Sequence, residues 1–315
     1  MIVMAAPIVP SLLFGSYHGG NDPSLQAESE KMIPFDSTAL RRLRSLLFLP
    51  ASNPRAIEKA RTLDADMAIL DLEDAVPEED KEKARAAAIE ATAQGFGGKP
   101  VAIRVNPKGT PHFGPDYACV RRSKADYVVL SKVDTPKQIH DARSLMERPV
   151  IAMIETPRGV LDAVAIATEA AGLIAGTNDL AATLGIPDGA GRSGLSHALQ
   201  QIVLAARAGG IAAFDGVYNR LESDEGLAAE CAEGRAYGFD GKTVIHPSQI
   251  ATVNRVFTPS LAEIEAARRL IEAATGGAVR HEGRMIEDMH VAQARALLAK
   301  AGLGRESLAS AEDAP

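Results

Sequence analysis

The sequence predicts an α/β fold in which eight strand–helix units close into a (β/α)8 TIM barrel, followed by a short helical C-terminal cover segment. Three observations predict it. From residue 45 onward, short runs rich in Val, Ile and Leu alternate with longer Ala/Glu/Lys/Arg segments of helical period. The runs start 22 to 39 residues apart, which leaves room for one helix after each. The dipeptides Asn53-Pro54, Val76-Pro77, Thr135-Pro136, Thr156-Pro157 and His246-Pro247 each sit just past a run. Proline suits the first turn of a helix, where its missing N–H has no acceptor, and Asn or Thr before it can cap.

In order, the runs are Ser45–Pro50, Met67–Asp74, Pro100–Asn106, Ala125–Val133, Pro149–Glu155, Ala171–Leu180, Gly210–Val217 and Lys242–Pro247. Most are continuously apolar, as parallel strands covered on both faces are. Periodicity alone does not show closure, so an open doubly wound sheet is the alternative. Residues 1–38 are expected to be a loosely ordered extension, with Met4 or Met32 as alternative translation starts, and residues 39–258 the barrel. Residues 259–315 form the C-terminal piece: a helix from about Leu261 to Ala274, the hinge Thr275-Gly276-Gly277, a helix from about Glu287 to Ala301, and a frayed end at SLASAEDAP.

The 315 residues carry 34 basic and 41 acidic side chains, a net charge of -7, with no Lys/Arg-rich block to meet a nucleic-acid backbone. Aromatic residues are only 4% and Trp is absent, which argues against stacking platforms. Cys119 and Cys231 form no CxxC and suggest neither a disulfide framework nor structural zinc, so a reducing, cytoplasmic setting fits. The N-terminal MIVMAAPIVPSLLFG lacks a basic leader and is broken by Pro7 and Pro10, a poor signal peptide or membrane span. Small molecules are the expected partners.

Charged residues interrupt the apolar pattern at the C-terminal ends of the runs, where barrels of this type place their sites. Asp71 and Glu73 share a face, as do Arg104 and Asn106; Lys132, Glu155, Asp179, Asp215 and His246 follow. Singly, each has a structural reading. Asp74 and Asp179 suit helix caps, His246 before proline suits a structural histidine, and Lys132 with Glu155 suits an ion pair between strands. Asp215 is harder to dismiss, because AAFDGV sets a carboxylate in an apolar strand where desolvation is costly. Together they read as a site. Glu155 and Asp179 are hard oxygen ligands with no His or Cys nearby, which favours Mg²⁺ completed by water and substrate. Arg104 is a planar cation for a substrate carboxylate or an enolate oxygen. A metal beside an arginine suits carbon–carbon cleavage or formation through an enolate, while Lys132 keeps a lysine-dependent aldolase open.

Two other motifs are read as turns. Gly189-Ala190-Gly191-Arg192-Ser193-Gly194 satisfies GxGxxG but follows no strand. Asp240-Gly241-Lys242-Thr243 imitates the end of a phosphate loop, yet Ala236 replaces the first glycine.

Taken together, RSLLFLPASNPR, ILDLEDAVPEEDK, IRVN, VVLSKVD, VIAMIETPRGV, GTNDLAATLG, FDGV, GFDGKTVIHPSQI and VNRVFTPS span residues 44–260 in the order of a known family. They resemble the citrate lyase beta subunit-like branch of the HpcH/HpaI aldolase and citrate lyase superfamily, which includes malyl-CoA and citramalyl-CoA lyases. The resemblance implies a barrel with Mg²⁺ on Glu155 and Asp179, substrate on Arg104, and Phe48, Arg55 and Lys59 on the coenzyme A side. It also implies a homotrimer or a multiple of one, in which the C-terminal segment covers a neighbour's site. A family aspartate in a G-x-M-I-D motif acts there as acid/base; this chain has Glu287 at that position, followed by Asp288.

The expected function is therefore a Mg²⁺-dependent lyase that cleaves a short 3-hydroxy-dicarboxyl-CoA thioester to acetyl-CoA and a 2-oxo acid. Citramalyl-CoA, giving pyruvate, is placed before malyl-CoA, giving glyoxylate. The candidates to act on reacting atoms are Asp71, Arg104, Asp215 and Glu287. Alternatives are the citryl-thioester subunit of a citrate lyase complex, a CoA-independent metal aldolase, and a non-catalytic protein that holds a 2-oxo acid and metal.

Overall fold

The computed structural model describes residues 37–274, 279–281 and 284–312, with side chains for 39–274 and 285–302. The predicted extension up to residue 36 and the Thr275-Gly276-Gly277 hinge lie outside the described residues.

Eight parallel strands close into a barrel. They are β1 (Ser45–Pro50), β2 (Met67–Asp71), β3 (Val101–Val105), β4 (Tyr127–Leu130), β5 (Val150–Ile154), β6 (Gly172–Ala175), β7 (Ala212–Asp215) and β8 (Gly241–Val244). Seven of the expected apolar runs contain one, the eighth strand starts one residue before its run, and β1 pairs with β8, which excludes the open sheet. At least one helix follows each strand, and the X-Pro signals start several of them. Asn53 accepts from the Ala56 N–H ahead of helix Pro54–Thr62, Thr156 accepts from Gly159 ahead of Pro157–Leu161, and Thr135 with Gln138 forms a capping box.

Alternation along the strands splits the core into two layers. Leu46 and Phe48, Met67 and Ile69, Ala102, Val129, Ile151 and Met153, Ile174, and Ala212 and Phe214 fill the barrel. Their neighbours in sequence, such as Leu47, Leu70, Ile103, Leu130, Ala152 and Ala213, pack outward under the helices. Leu40, on the short helix Ser37–Leu40, belongs to the inner cluster and plugs the N-terminal end, where its Cδ1 would stand 3.7 Å from a Cβ on Gly172. The opposite end is open.

The C-terminal piece departs from expectation. Helix Leu261–Ala273, started by a Ser260/Glu263 capping box, leads to an unpredicted hairpin of β9 (Val279–His281) and β10 (Arg284–Ile286). A last helix runs from Asp288 to Glu312, beyond the expected Ala301 and through most of SLASAEDAP, a stretch with several good helix formers. This helix meets the base of its own barrel: the Lys300 ammonium donates to the carbonyl of Asp240, immediately before β8. None of the helices among the described residues is long and apolar enough to cross a membrane.

Candidate active site

At the C-terminal end of the barrel a cavity of about 330 Å³ opens, lined by residues from seven strands or the loops after them. Register builds its central pair. Asp71 and Arg104 are direct partners across β2 and β3, both on the inward face. The guanidinium therefore grips the carboxylate at both ends, Nε to Oδ1 at 2.7 Å and Nη2 to Oδ2 at 2.5 Å. Its third nitrogen, Nη1, stands 3.2 Å from Glu73 Oε2 and 3.6 Å from Asp74 Oδ2, and donates to Met153 Sδ at 3.9 Å. The Phe48 ring lies beside the cation, 4.9 Å from ring centroid to guanidinium carbon.

Asp71 is saturated by this arrangement. Besides Arg104, it accepts from the backbone N–H groups of Glu73 and Ala75, so it shapes the turn after β2. Lys81, buried, holds the same turn from below through the carbonyls of Leu72 and Glu73 and through Asn106 Oδ1. Asn106 in turn bonds Asp116 and Leu72 and leaves the mouth to Arg104.

Glu73 and Glu155 are the two buried acids with freedom left. Glu73 Oε2 accepts from Ser131 Oγ at 2.5 Å, whereas Oε1 is buried without a hydrogen-bond partner, 3.9 Å from Lys132 Nζ. Burial pushes the Glu73 carboxyl up to about 7, against the pull of Arg104 and Ser131. Burial likewise pushes Glu155 up to about 8; the charges of Glu73 and Asp179 add to it, and the Lys132 N–H and Arg104 oppose it. The Lys132 link is made by its backbone, which donates to Glu155 Oε1 at 2.6 Å from a left-handed residue with φ 53°. The expected side-chain ion pair is not what holds Glu155.

Glu155 and Asp179 both line the cavity, Asp179 from the first turn of helix Thr177–Thr183. Gly176, between them, is a close approach: a Cβ there would lie 2.6 Å from Glu155 Oε2. The helix is capped by Gly176, which leaves the Asp179 carboxylate for other work. No cluster of three or more acidic, His or Cys ligands stands ready for a metal among the described residues. Mg²⁺ needs fewer, because it keeps water and substrate oxygens as ligands. The charge balance fits it: Asp71, Glu73, Asp74, Glu155 and Asp179 gather around Arg104 and Lys132, five carboxylates against two cations.

Other expected residues go elsewhere. Asp215 follows the outward face of β7, with Ala213, and does not reach the cavity. It is saturated by Arg192 at 2.8 and 3.0 Å, Lys242 at 3.1 Å and the Gly216 N–H. Glu287 is exposed and absent from the cavity of its own chain. Phe48 lines the cavity, while Arg55 and Lys59 are exposed on the helix that follows β1. His246 accepts from the Ser248 N–H and caps a short turn, its structural reading.

Sequence reasoning had left out several groups. Asp74 lines the mouth, more than half exposed, instead of capping a helix, and Thr177, Asn178 and Thr243 add polar lining. Ser131 orients Glu73. Asp74 had a signal, its place directly after the Asp71/Glu73 face. Ser131 had none, a small polar residue at a strand end being unremarkable.

Comparison with known proteins agrees with this geometry. The family model for HpcH/HpaI aldolase/citrate lyase matches residues 44–247. A (3S)-malyl-CoA thioesterase from Cereibacter sphaeroides is 42% identical over 270 residues, 82% of this chain and 94% of that protein. A citrate lyase subunit beta from Leuconostoc mesenteroides is 33% identical over 284 residues, 82% of this chain and 93% of that one. Among solved structures, CitE from Mycobacterium tuberculosis in complex with magnesium, acetoacetate and coenzyme A superposes with a TM-score of 0.71 at 35% identity, covering 84% of this chain and 100% of that one. The chain belongs to the HpcH/HpaI aldolase/citrate lyase family.

Proposed function

We propose that the protein is a Mg²⁺-dependent carbon–carbon lyase that cleaves a short 3-hydroxy-dicarboxyl-CoA thioester to acetyl-CoA and a 2-oxo acid. The observation that carries this reading is Arg104, fixed by Asp71 in the lining of a cavity that Glu155 and Asp179 also line. A relative named malyl-CoA thioesterase and a solved relative holding magnesium and coenzyme A support the ligand classes. The former name moves malyl-CoA ahead of citramalyl-CoA as substrate.

Glu155 and Asp179 would hold the metal, which when bound supplies Lewis-acid polarisation of the substrate's hydroxyl and carboxylate oxygens. Arg104 meets the thioester oxygen, where negative charge grows as the bond between carbons 2 and 3 breaks. Preorganisation by Asp71 and Phe48 spares the guanidinium any rearrangement at that moment. Asp74, exposed at the rim, accepts the hydroxyl proton. Glu287 of a neighbouring copy returns a proton to the acetyl carbon. Arg55 and Lys59, one helical turn apart, receive the phosphates of coenzyme A.

A second reading, hydrolysis of the malyl-CoA thioester, is favoured by the 42% identity to the thioesterase. Mass detection of products from malyl-, citramalyl- and citryl-CoA, with Mg²⁺ and with a chelator, tests both. The proposal expects acetyl-CoA with glyoxylate or pyruvate, lost on chelation. Free CoA with intact malate assigns the hydrolysis reading, and no turnover of any thioester overturns both.

A further inference from the structure

Although the chain is acidic overall, it builds a cationic cleft at the end of the barrel opposite the mouth. The cavity, about 530 Å³, lies between the strands' N-terminal ends and the helix Asp288–Glu312. Arg41 and Arg42 reach it from the segment before β1, Arg235 from helix Asp224–Tyr237, and Arg295 and Lys300 from the last helix. Among the described residues that line it, Asp240 is the one carboxylate.

That carboxylate is already committed. Asp240 Oδ2 accepts from Arg207 at 2.9 Å and from the Ala213 N–H, and Oδ1 stands 3.5 Å from Arg41 Nε. Glu263, outside the lining, occupies Arg235 at 2.6 Å. Arg42 and Arg295 are exposed, and their guanidinium groups make no ion pair or hydrogen bond among the described residues. The Lys300 ammonium makes do with a neutral carbonyl and the face of Phe257, 5.6 Å from the ring centroid. Burial, with Arg235 and Arg207 adding to it against Asp240 and Asp66, holds Lys300 down to about 8. The cleft is thus short of negative charge, on walls contributed by both the barrel and the last helix.

We propose that this cleft binds a small polyanion carrying two or more oxyanion groups, which bridges the barrel base and the C-terminal helix. Guanidinium forks suit phosphate or carboxylate groups alike, and an anion with two such groups can meet both Arg42, before β1, and Arg295, on the last helix. The site stands at the opposite end of the barrel from Arg55 and Lys59 and is independent of the lyase reading.

Calorimetric titration of the full chain with inorganic triphosphate and with citrate tests it, together with amide exchange of residues 288–302. At least one anion is expected to bind and to slow exchange in that helix. Arg42→Ala/Arg295→Ala should weaken this binding by about tenfold or more and abolish the protection. Arg42→Lys/Arg295→Lys should restore part of both, and Lys83→Ala, at an exposed lysine on the helix after β2, should leave both unchanged. Binding of triphosphate alone identifies a phosphate site, citrate alone a carboxylate site, and both together a site that reads charge. The proposal is overturned if neither anion binds below about 10 mM, or if Arg42→Ala/Arg295→Ala binds and protects as the parent does.

Discussion

Asp71–Arg104 and Asp215–Lys242 are both acid–base pairs in direct register on neighbouring strands, and all four residues are buried. Their uses differ because of phase. Asp71 and Arg104 fall on the inward face and end at the cavity, with Oε1 of Glu73 beside them left without a hydrogen-bond partner. Asp215 and Lys242 fall on the outward face, under helix Asp224–Tyr237, where Arg192 and Glu230 complete the cluster. Gly234 on that helix comes so close that a Cβ would lie 2.6 Å from Asp215 Oδ2. A buried charge is thus no sign of catalysis by itself; what separates the two pairs is the face they take, since Asp71 and Arg104 line the cavity at the mouth, whereas Asp215 and Lys242 line neither that cavity nor the neighbouring one that Arg192 and Glu230 reach.

The sharpest way to break this contrast is at Glu155, which lines the same cavity as Arg104. Glu155→Ala is expected to lower lyase turnover by about a thousandfold or more while the protein stays folded, measured by acetyl-CoA release beside a thermal melt. In the outward cluster the loss should fall on stability. Asp215→Asn leaves Arg192 and Lys242 short of charge and is expected to cost about 3 kcal/mol or more, read by urea unfolding, with turnover per folded molecule within about twofold. Glu73→Gln keeps the Ser131 contact and removes the charge beside Arg104 and Lys132; a turnover loss of about tenfold is expected, since Glu73 acts through them.

The smallest expected effect concerns pH. Glu73 and Glu155 hold protons to about 7 and 8 in the fold, whereas in the unfolded chain they release them near 4.5. Between those values the folded state binds more protons, so stability falls as pH rises. The melting temperature of the metal-free protein should therefore fall from pH 5 to pH 8.5. In Glu155→Gln the slope should be shallower. An equal slope in that variant would remove Glu155 as its source.

Much of the fold was legible because parallel strands buried on both faces write themselves as apolar runs. The same property hid the face of Asp215: in AAFDGV both faces are apolar, so no alternation marks which side is inward. The bulk of Phe214, which fills the barrel, was the remaining clue. The Asp240-Gly241-Lys242-Thr243 stretch, which reads as a turn, instead enters β8, and its Lys242 is the cation that meets Asp215. Glu155, Arg104 and Asp179 were legible because charge at a strand's C-terminal end contradicts its surroundings. The β9–β10 hairpin was not, as its three-residue strands carry Arg and His and are too short to show a period. Nor could sequence show that the last helix docks at the base, since that contact joins residues 60 apart.

The most direct measurement of the central claim, that the inward cluster is the one that acts on substrate, is acetyl-CoA formation from malyl-CoA by Arg104→Lys and Arg192→Lys side by side, each normalised to folded protein. Loss of the fixed fork should cut turnover about a hundredfold or more in Arg104→Lys and leave Arg192→Lys near the parent. Equal losses in the two, or a larger one in Arg192→Lys, would contradict the account.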